Sequence, residues 1–273
     1  NGARPGVQTP SANTRKLSYL DQLEVKGTKL PTYYEGKLSE GATGGKTKTP
    51  ANNPRLDREF GSMPEQKELQ PLGHARIDSS VKMCLKEKTA VTIISSYGQL
   101  RIEGVNGAIR VCFQKGNGKG FAPATGEFAG NPGSVAIKEA RDFIELATKQ
   151  AIARVNRKTG EVAFFDAKGK ALLTERVKEP RQVESTKSYV YFDFGKKEEL
   201  YAKPVGGQFP LKIGTSAKVI SYGDPTLGKP GLHSSSGYEL FFPEDRKILC
   251  CNISMYGPYV SMEGEGMEYY FKV

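Results

Sequence analysis

The sequence predicts an all-β protein: an antiparallel β-sandwich with a long extended N-terminal arm that contains short helical turns. Three observations predict it. From Arg76 onward, apolar and polar residues alternate in short runs rich in Val, Ile, Phe and Tyr, the period of two expected of strands with one buried face. Gly and Ser bound many of those runs, as tight turns require. Residues 1–75 show no such period, so the chain divides into an arm over 1–75 and a sandwich over 76–273.

Each element follows from its residues. Stretches 81–86, 90–95, 99–103 and 108–113 are short and rich in β-branched residues, and read as the first strands. A polar, Gly-rich stretch over 116–134 reads as a long loop. Residues 137–156 fit an amphipathic helix as well as strands. They are assigned to strands because Arg157-Lys-Thr-Gly-Glu161 reads as a hairpin turn with Gly160 in the left-handed conformation. A strand over 162–165, a turn over 166–170 and a strand over 171–175 follow, and further strands are expected at 188–194, 238–242, 247–253 and 267–273. Many short strands joined by turns, with almost no helix, describe a sandwich.

In the arm, residues 1–16 and 39–55 are rich in Gly, Pro, Thr, Asn and Lys and have almost nothing to bury. Short anchors interrupt them: Leu17, Tyr19, Leu20 and Leu23, then Leu30, Tyr33, Tyr34 and Leu38. A helical turn is expected at 18–23 and another within 54–70, with Asn53 as cap and Pro54 at the first position. The arm reads as a binding element. Arg15, Lys16, Tyr19, Leu20, Tyr33, Tyr34, Arg55 and Arg58 are its expected partner-binding residues.

Charge sets the class of partner. Against 30 acidic residues stand 40 Lys and Arg, a net charge of +10 over 273 residues, which calls for an anionic partner. The basic residues are dispersed and interleaved with acids. That pattern argues against a nucleic-acid arm and for the broad acidic surface of protein subunits in a large complex. No apolar run approaches the ~18 residues of a membrane span. Tyr and Phe make up the whole 10% aromatic share, since Trp is absent. They read mainly as core, with a carbohydrate platform kept as an alternative.

The chemistry-bearing residues lead to no catalytic assignment. Cys84, Cys112, Cys250 and Cys251 are too few for a disulfide framework. They are expected to be buried free thiols in a reducing compartment, with Cys250 and Cys251 pointing to opposite faces of one strand. The only histidines, His74 and His233, are far apart and no C-x-x-C spacing exists, so no metal is expected. No cofactor is expected either. Gly41-Ala-Thr-Gly-Gly-Lys-Thr47 is one residue short of a P-loop, and no apolar strand precedes it. His233 beside Ser234, Ser235 and Ser236 lacks a nucleophile elbow. Glu198 with Glu199, and Glu263 with Glu265, read as solvated turn charges and not as the spaced carboxylates of a glycosidase. The sequon at Asn252 falls in an apolar strand and is discounted as a glycosylation site. Asn1 in place of an initiator Met suggests processing, so a plastid after transit-peptide removal, or otherwise the cytoplasm, is the expected location.

The block from Asp142 to Glu175, with its Thr159-Gly160 hairpin, Phe-containing strand and Asp166-Ala-Lys-Gly-Lys-Ala-Leu-Leu173 run, resembles a known family. It is similar to the N-terminal β-sandwich of glycoside hydrolase family 31, the α-glucosidase type, which has a galactose-mutarotase-like fold. Leu100-Arg-Ile through Ile109-Arg-Val resembles the strand before that block, Lys197-Glu-Glu-Leu-Tyr201 the segment entering a Tyr-Gly-x-Gly turn, and Ser235-Ser-Gly-Tyr238 a Ser-x-Gly-Tyr-Gly strand start. The likeness runs from about Lys82 to Val273. Two departures matter: Ala-Lys-Pro follows Tyr201 where the family has its Gly-rich turn beside the active site, and Glu239 replaces a Gly. In the family, the nucleophile and the acid/base carboxylate lie on a (β/α)₈ barrel that needs roughly 250 residues. The resemblance therefore implies a sandwich without its barrel.

The expectation is a non-catalytic structural protein, a linker or scaffold whose arm threads across acidic subunits while the sandwich holds position. Basic linkers that join acidic light-harvesting proteins in algal phycobilisomes follow the same charge logic. The alternatives are the N-terminal fragment or subunit of an α-glucosidase-type enzyme with its barrel elsewhere, and a carbohydrate-binding module.

Overall fold

Alternation places every second residue of a strand on one face, and two antiparallel sheets use it here. The computed structural model describes residues 66–69, 77–116, 120–203, 209–211, 215–253 and 256–273. The eight expected partner-binding residues, the helical turn at 18–23, the Asn53–Pro54 cap, the Gly41–Thr47 stretch and His74 lie outside the described residues.

The first sheet runs edge to edge through β1 (Met83–Lys86), β2 (Ala90–Ile94), β3 (Gly98–Val105), β4 (Ala108–Lys115), β19 (Met267–Lys272), β16 (Tyr238–Phe241), β15 (Gly231–Ser234), β12 (Leu200–Lys203) and β13 (Phe209–Leu211). The second runs through β14 (Thr215–Tyr222), β17 (Lys247–Ile253), β18 (Tyr259–Glu263), β11 (Lys187–Asp193), β9 (Ala171–Glu175), β8 (Val162–Asp166), β7 (Ala151–Asn156), β6 (Phe143–Ala147) and β5 (Ala136–Glu139). A short β10 (Arg181–Val183) pairs with β11. The C-terminal strand lies mid-sheet, between β4 and β16.

The core lies between the sheets. Val91, Leu100, Ile109, Val111, Leu240 and Phe271 from the first meet Ile144, Val155, Phe164, Val190, Phe192 and Val260 from the second. Phe164 stacks on Phe271 at 4.3 Å and meets Tyr269 edge-on at 6.0 Å. This geometry adds a directional preference to the burial of large rings.

Each sheet also has a covered patch on its outer face. On the first, Phe128 stacks on Tyr270 at 4.3 Å and packs with Val105, Ala108 and Phe241. Phe128 closes a 3₁₀ turn, Gly126–Phe128, inside the loop expected at 116–134. That loop also accepts a 2.7 Å hydrogen bond from Arg110 Nη1 at the Ala122 carbonyl. On the second, a helical turn, α1 (Gln66–Leu69), lies on a cluster of tyrosines. It falls inside the helix expected over 54–70.

The hairpin reading of 137–156 holds, with β5, β6 and β7 in register. At its far turn, Asn156 Oδ1 accepts from the Lys158 and Thr159 amides, and Gly160 has φ of 78°. A Cβ at Gly160 would stand 2.1 Å from the Ser79 carbonyl oxygen. Gly160→Ala is therefore expected to lower stability by more than the about 1–2 kcal/mol of a left-handed L-residue alone, read as a drop in thermal midpoint. Gly169→Ala, also at positive φ (85°) but with open space around it, should cost only the backbone part.

Candidate interaction surface

Glu175, at the end of β9, shares the inward parity of Leu173 and is fully buried. Its carboxylate accepts from the Val162 amide at 2.8 Å, from Tyr269 Oη at 2.9 Å and from the Arg181 guanidinium. Arg181 Nη2 also donates to the Gly160 carbonyl at 2.5 Å, so one ion pair ties β8, β9, β10, β19 and the hairpin turn together. Burial pushes the Glu175 carboxyl above its ordinary value, and the Arg181 charge opposes that rise.

A second buried carboxylate corrects the sequence reading. Glu198, expected to be a solvated turn charge, is 5% exposed and accepts from Ser234 Oγ, from Tyr238 Oη at 2.5 Å and from the Gly195 amide at 2.7 Å. Two of the donors arrive because β12 pairs with β15 and β15 with β16, which brings Ser234 and Tyr238 beside Glu198, two residues before β12, and the third is the local Gly195 amide. Segments 197–201 and 235–238, both singled out for resemblance, thus meet at one carboxylate. Glu199 is the exposed member of the pair and accepts from Tyr201 Oη at 3.0 Å. Ser234 Oγ is engaged by Glu198, whereas His233 faces Glu239 at 3.3 Å, so the two do not form a nucleophile and base.

Both carboxylates are held by fixed donors and serve the architecture. The second sheet presents two distinct outer patches. Over β6, β7 and β8, the Arg154 guanidinium lies between the rings of Phe143 at 4.4 Å and Phe165 at 4.7 Å, and bonds Glu145 at 2.7 Å. These half-buried side chains form a flat face, with Lys138 beside it.

Over β11, β14, β17 and β18 the outer face is Tyr189, Tyr191, Tyr259, Ala217, Val219, Leu249, Cys251 and Ile253, with Tyr256 packed against it. Arg176 stacks on Tyr191 with 3.8 Å to the ring centroid. Burial pushes Tyr189 up to about 12 and Cys251 up to about 11, and raises Tyr191 and Tyr259 further. The face is therefore uncharged at neutral pH apart from its rim, where Arg176 and Lys247 sit.

Cys250 and Cys251 do point oppositely, Cys250 into the inter-sheet core and Cys251 into the tyrosine face. All four thiols are free, but Cys84 is only half buried, against the expectation of full burial, because β1 is an edge strand. Alkylation of the native protein should modify Cys84 first and leave Cys112, Cys250 and Cys251 protected until denaturant is added, as peptide mass mapping would show. Asn252 of the discounted sequon is 2% exposed in β17.

Among the described residues no group of three or more His, Cys, Asp or Glu is placed to hold a metal ion, and no helix is long and apolar enough to cross a membrane. The elements missed by the sequence reading, β10, β12, β13, β14, β15 and β18, form much of the sandwich end that carries the tyrosine face and the Glu198 network.

Fold and site together define an all-β, two-sheet antiparallel sandwich in which buried Glu175 and Glu198 are each held by three protein donors. No protein-family profile matches the chain, and no curated protein does. Solved structures do match. A family 31 α-xylosidase from a soil metagenome aligns over 70% of this chain and 32% of its own, with TM-score 0.55 and 17% identity. A family 31 dextranase of Flavobacterium johnsoniae aligns over 73% of this chain and 26% of its own, with TM-score 0.56 and 20% identity. The α-1,4-glucan lyase of Gracilariopsis lemaneiformis aligns over 81% of this chain and 30% of its own, with TM-score 0.54 and 11% identity. The chain thus has the fold of the β-sandwich portion of glycoside hydrolase family 31 enzymes, and spans about a third or less of these proteins.

Proposed function

We propose that the protein is a non-catalytic accessory sandwich of the kind family 31 enzymes carry, and that it acts by docking against a partner. The observation behind this reading is the asymmetry of coverage: 70–81% of this chain aligns with 26–32% of the three enzymes. The buried acids support it. Glu175 and Glu198 are each buried and held by three protein donors, which fits structural acids better than groups that activate water or protonate a leaving group.

In this reading the partner is a catalytic barrel, carried on a longer form of the same polypeptide or on another chain. The structural-linker reading rests on the net charge of +10 instead. In it, residues 1–75 form a binding arm whose Arg15, Lys16, Tyr19, Leu20, Tyr33, Tyr34, Arg55 and Arg58 contact acidic subunits. Purification of the native protein separates the two. Retention of a barrel-bearing polypeptide at high salt supports the accessory-domain reading. Recovery only with acidic subunits, lost as salt rises, overturns it in favour of the linker.

A further inference from the structure

We propose that the tyrosine face of the second sheet is a docking surface for a Glu-Leu segment of chain, and that Gln66–Leu69 of this same chain is its occupant. The contact joins three kinds of interaction. Leu69 is fully buried and sits within the cluster formed by Tyr189, Tyr191, Leu249, Cys251 and Tyr259. The Leu69 carbonyl accepts from Tyr259 Oη, so the face reads backbone as well as side chain. Glu68, one residue earlier, pairs with Lys247, whose ammonium also lies 5.4 Å from the centre of the Tyr222 ring.

An apolar anchor, a main-chain hydrogen bond and a charge pair at fixed spacing are the parts of short-segment recognition. Here they are presented by a rigid sheet, and they lie on the face opposite the inter-sheet core. The Tyr191 hydroxyl, buried in the same cluster, finds no hydrogen-bond partner among the described residues. Ile77 lies eight residues after Leu69. An extended chain of that length spans up to about 27 Å, and the sheet and its occupant belong to the same polypeptide. The contact is a clasp in cis: it fastens Gln66–Leu69 to the sandwich and covers the aromatic face.

Cys251 and Cys250 supply the test, because adjacent thiols report on opposite faces. The full chain is treated with N-ethylmaleimide and each site is followed by mass mapping. In the wild type both should be protected, and the protection should not change on dilution. Leu69→Ala should open the clasp and speed labelling of Cys251 by roughly a hundredfold, with Cys250 still protected. Lys247→Glu should speed Cys251 labelling to a smaller extent, and Glu68→Lys added to it should restore protection.

Unchanged Cys251 labelling in both single variants would overturn the proposal. Equal labelling of both cysteines in the milder Lys247→Glu variant would overturn it too, because the segment would then be inseparable from the core. Protection lost on dilution of the wild type would also overturn it, since the occupant would be the same segment of a second copy.

Discussion

Arg181→Met is expected to lower the unfolding free energy by about 3–5 kcal/mol at neutral pH, because it leaves the fully buried Glu175 without its counter-charge. The loss should depend on pH in a defined direction. Burial already raises the Glu175 carboxyl above its ordinary 4.5, and Arg181 is the largest effect opposing that rise. Without the guanidinium the folded-state value climbs further. A group whose folded value is raised binds its proton more tightly folded than unfolded. Its favourable contribution is therefore complete below the ordinary carboxylate range and is lost as pH rises through the folded value.

Urea unfolding of the variant should show its largest deficit at neutral pH and a much smaller one near pH 4, where Glu175 is protonated. A deficit independent of pH would mean that Arg181 acts through packing alone. Replacing the pair together, Glu175→Leu with Arg181→Met, should cost far less than the single change, since no charge is then left stranded.

The second large effect tests the alternation itself. Phe164→Ala should cost about 3–5 kcal/mol, the usual range for removing a buried ring. Phe164 is fully buried, stacked on Phe271 and edge-on to Tyr269. The next residue, Phe165, faces outward against Arg154. Phe165→Ala should cost about 1 kcal/mol or less, through a lost cation–π contact and partial burial. Denaturant midpoints of the two variants, compared at equal slope, check this. Similar losses in both would mean that the outer face of β8 is covered as fully as the inner one.

These contrasts show why part of the fold is legible in the sequence. β3 and β7 alternate strictly enough for pattern to reveal strands and inward faces, β4 and β8 show as short β-branched and aromatic runs, and Gly160 marks the hairpin because a side chain there would meet both a left-handed φ and the Ser79 carbonyl. β10, β13 and β15 are three or four residues long, too short to carry a period. β13 also contains Pro210, which is compatible with its place at the sheet edge but hides it from a strand pattern.

The buried charges were illegible for another reason. Glu175 meets Tyr269 across 94 residues of sequence, Glu198 meets Tyr238 across 40, and Arg110 meets Glu268 across 158. A charged side chain reads as solvent-facing unless its partner is known. Arg110 does lie on the outer face of the first sheet, yet the loop carrying Ala122 and Phe128 covers it. Likewise, nothing local in Tyr259 or Leu69 announces that one hydroxyl will find the other's carbonyl 190 residues away.

In the proposed reading this sandwich docks and does not catalyse. This is tested most directly by incubating the 273-residue chain, purified on its own, with maltose, isomaltotriose and an aryl α-xyloside and measuring the sugar released. No product above the protein-free control is expected. Release that persists through repurification and disappears on heat denaturation would contradict the account, because no carboxylate pair identified in the sandwich could then be left out of the chemistry.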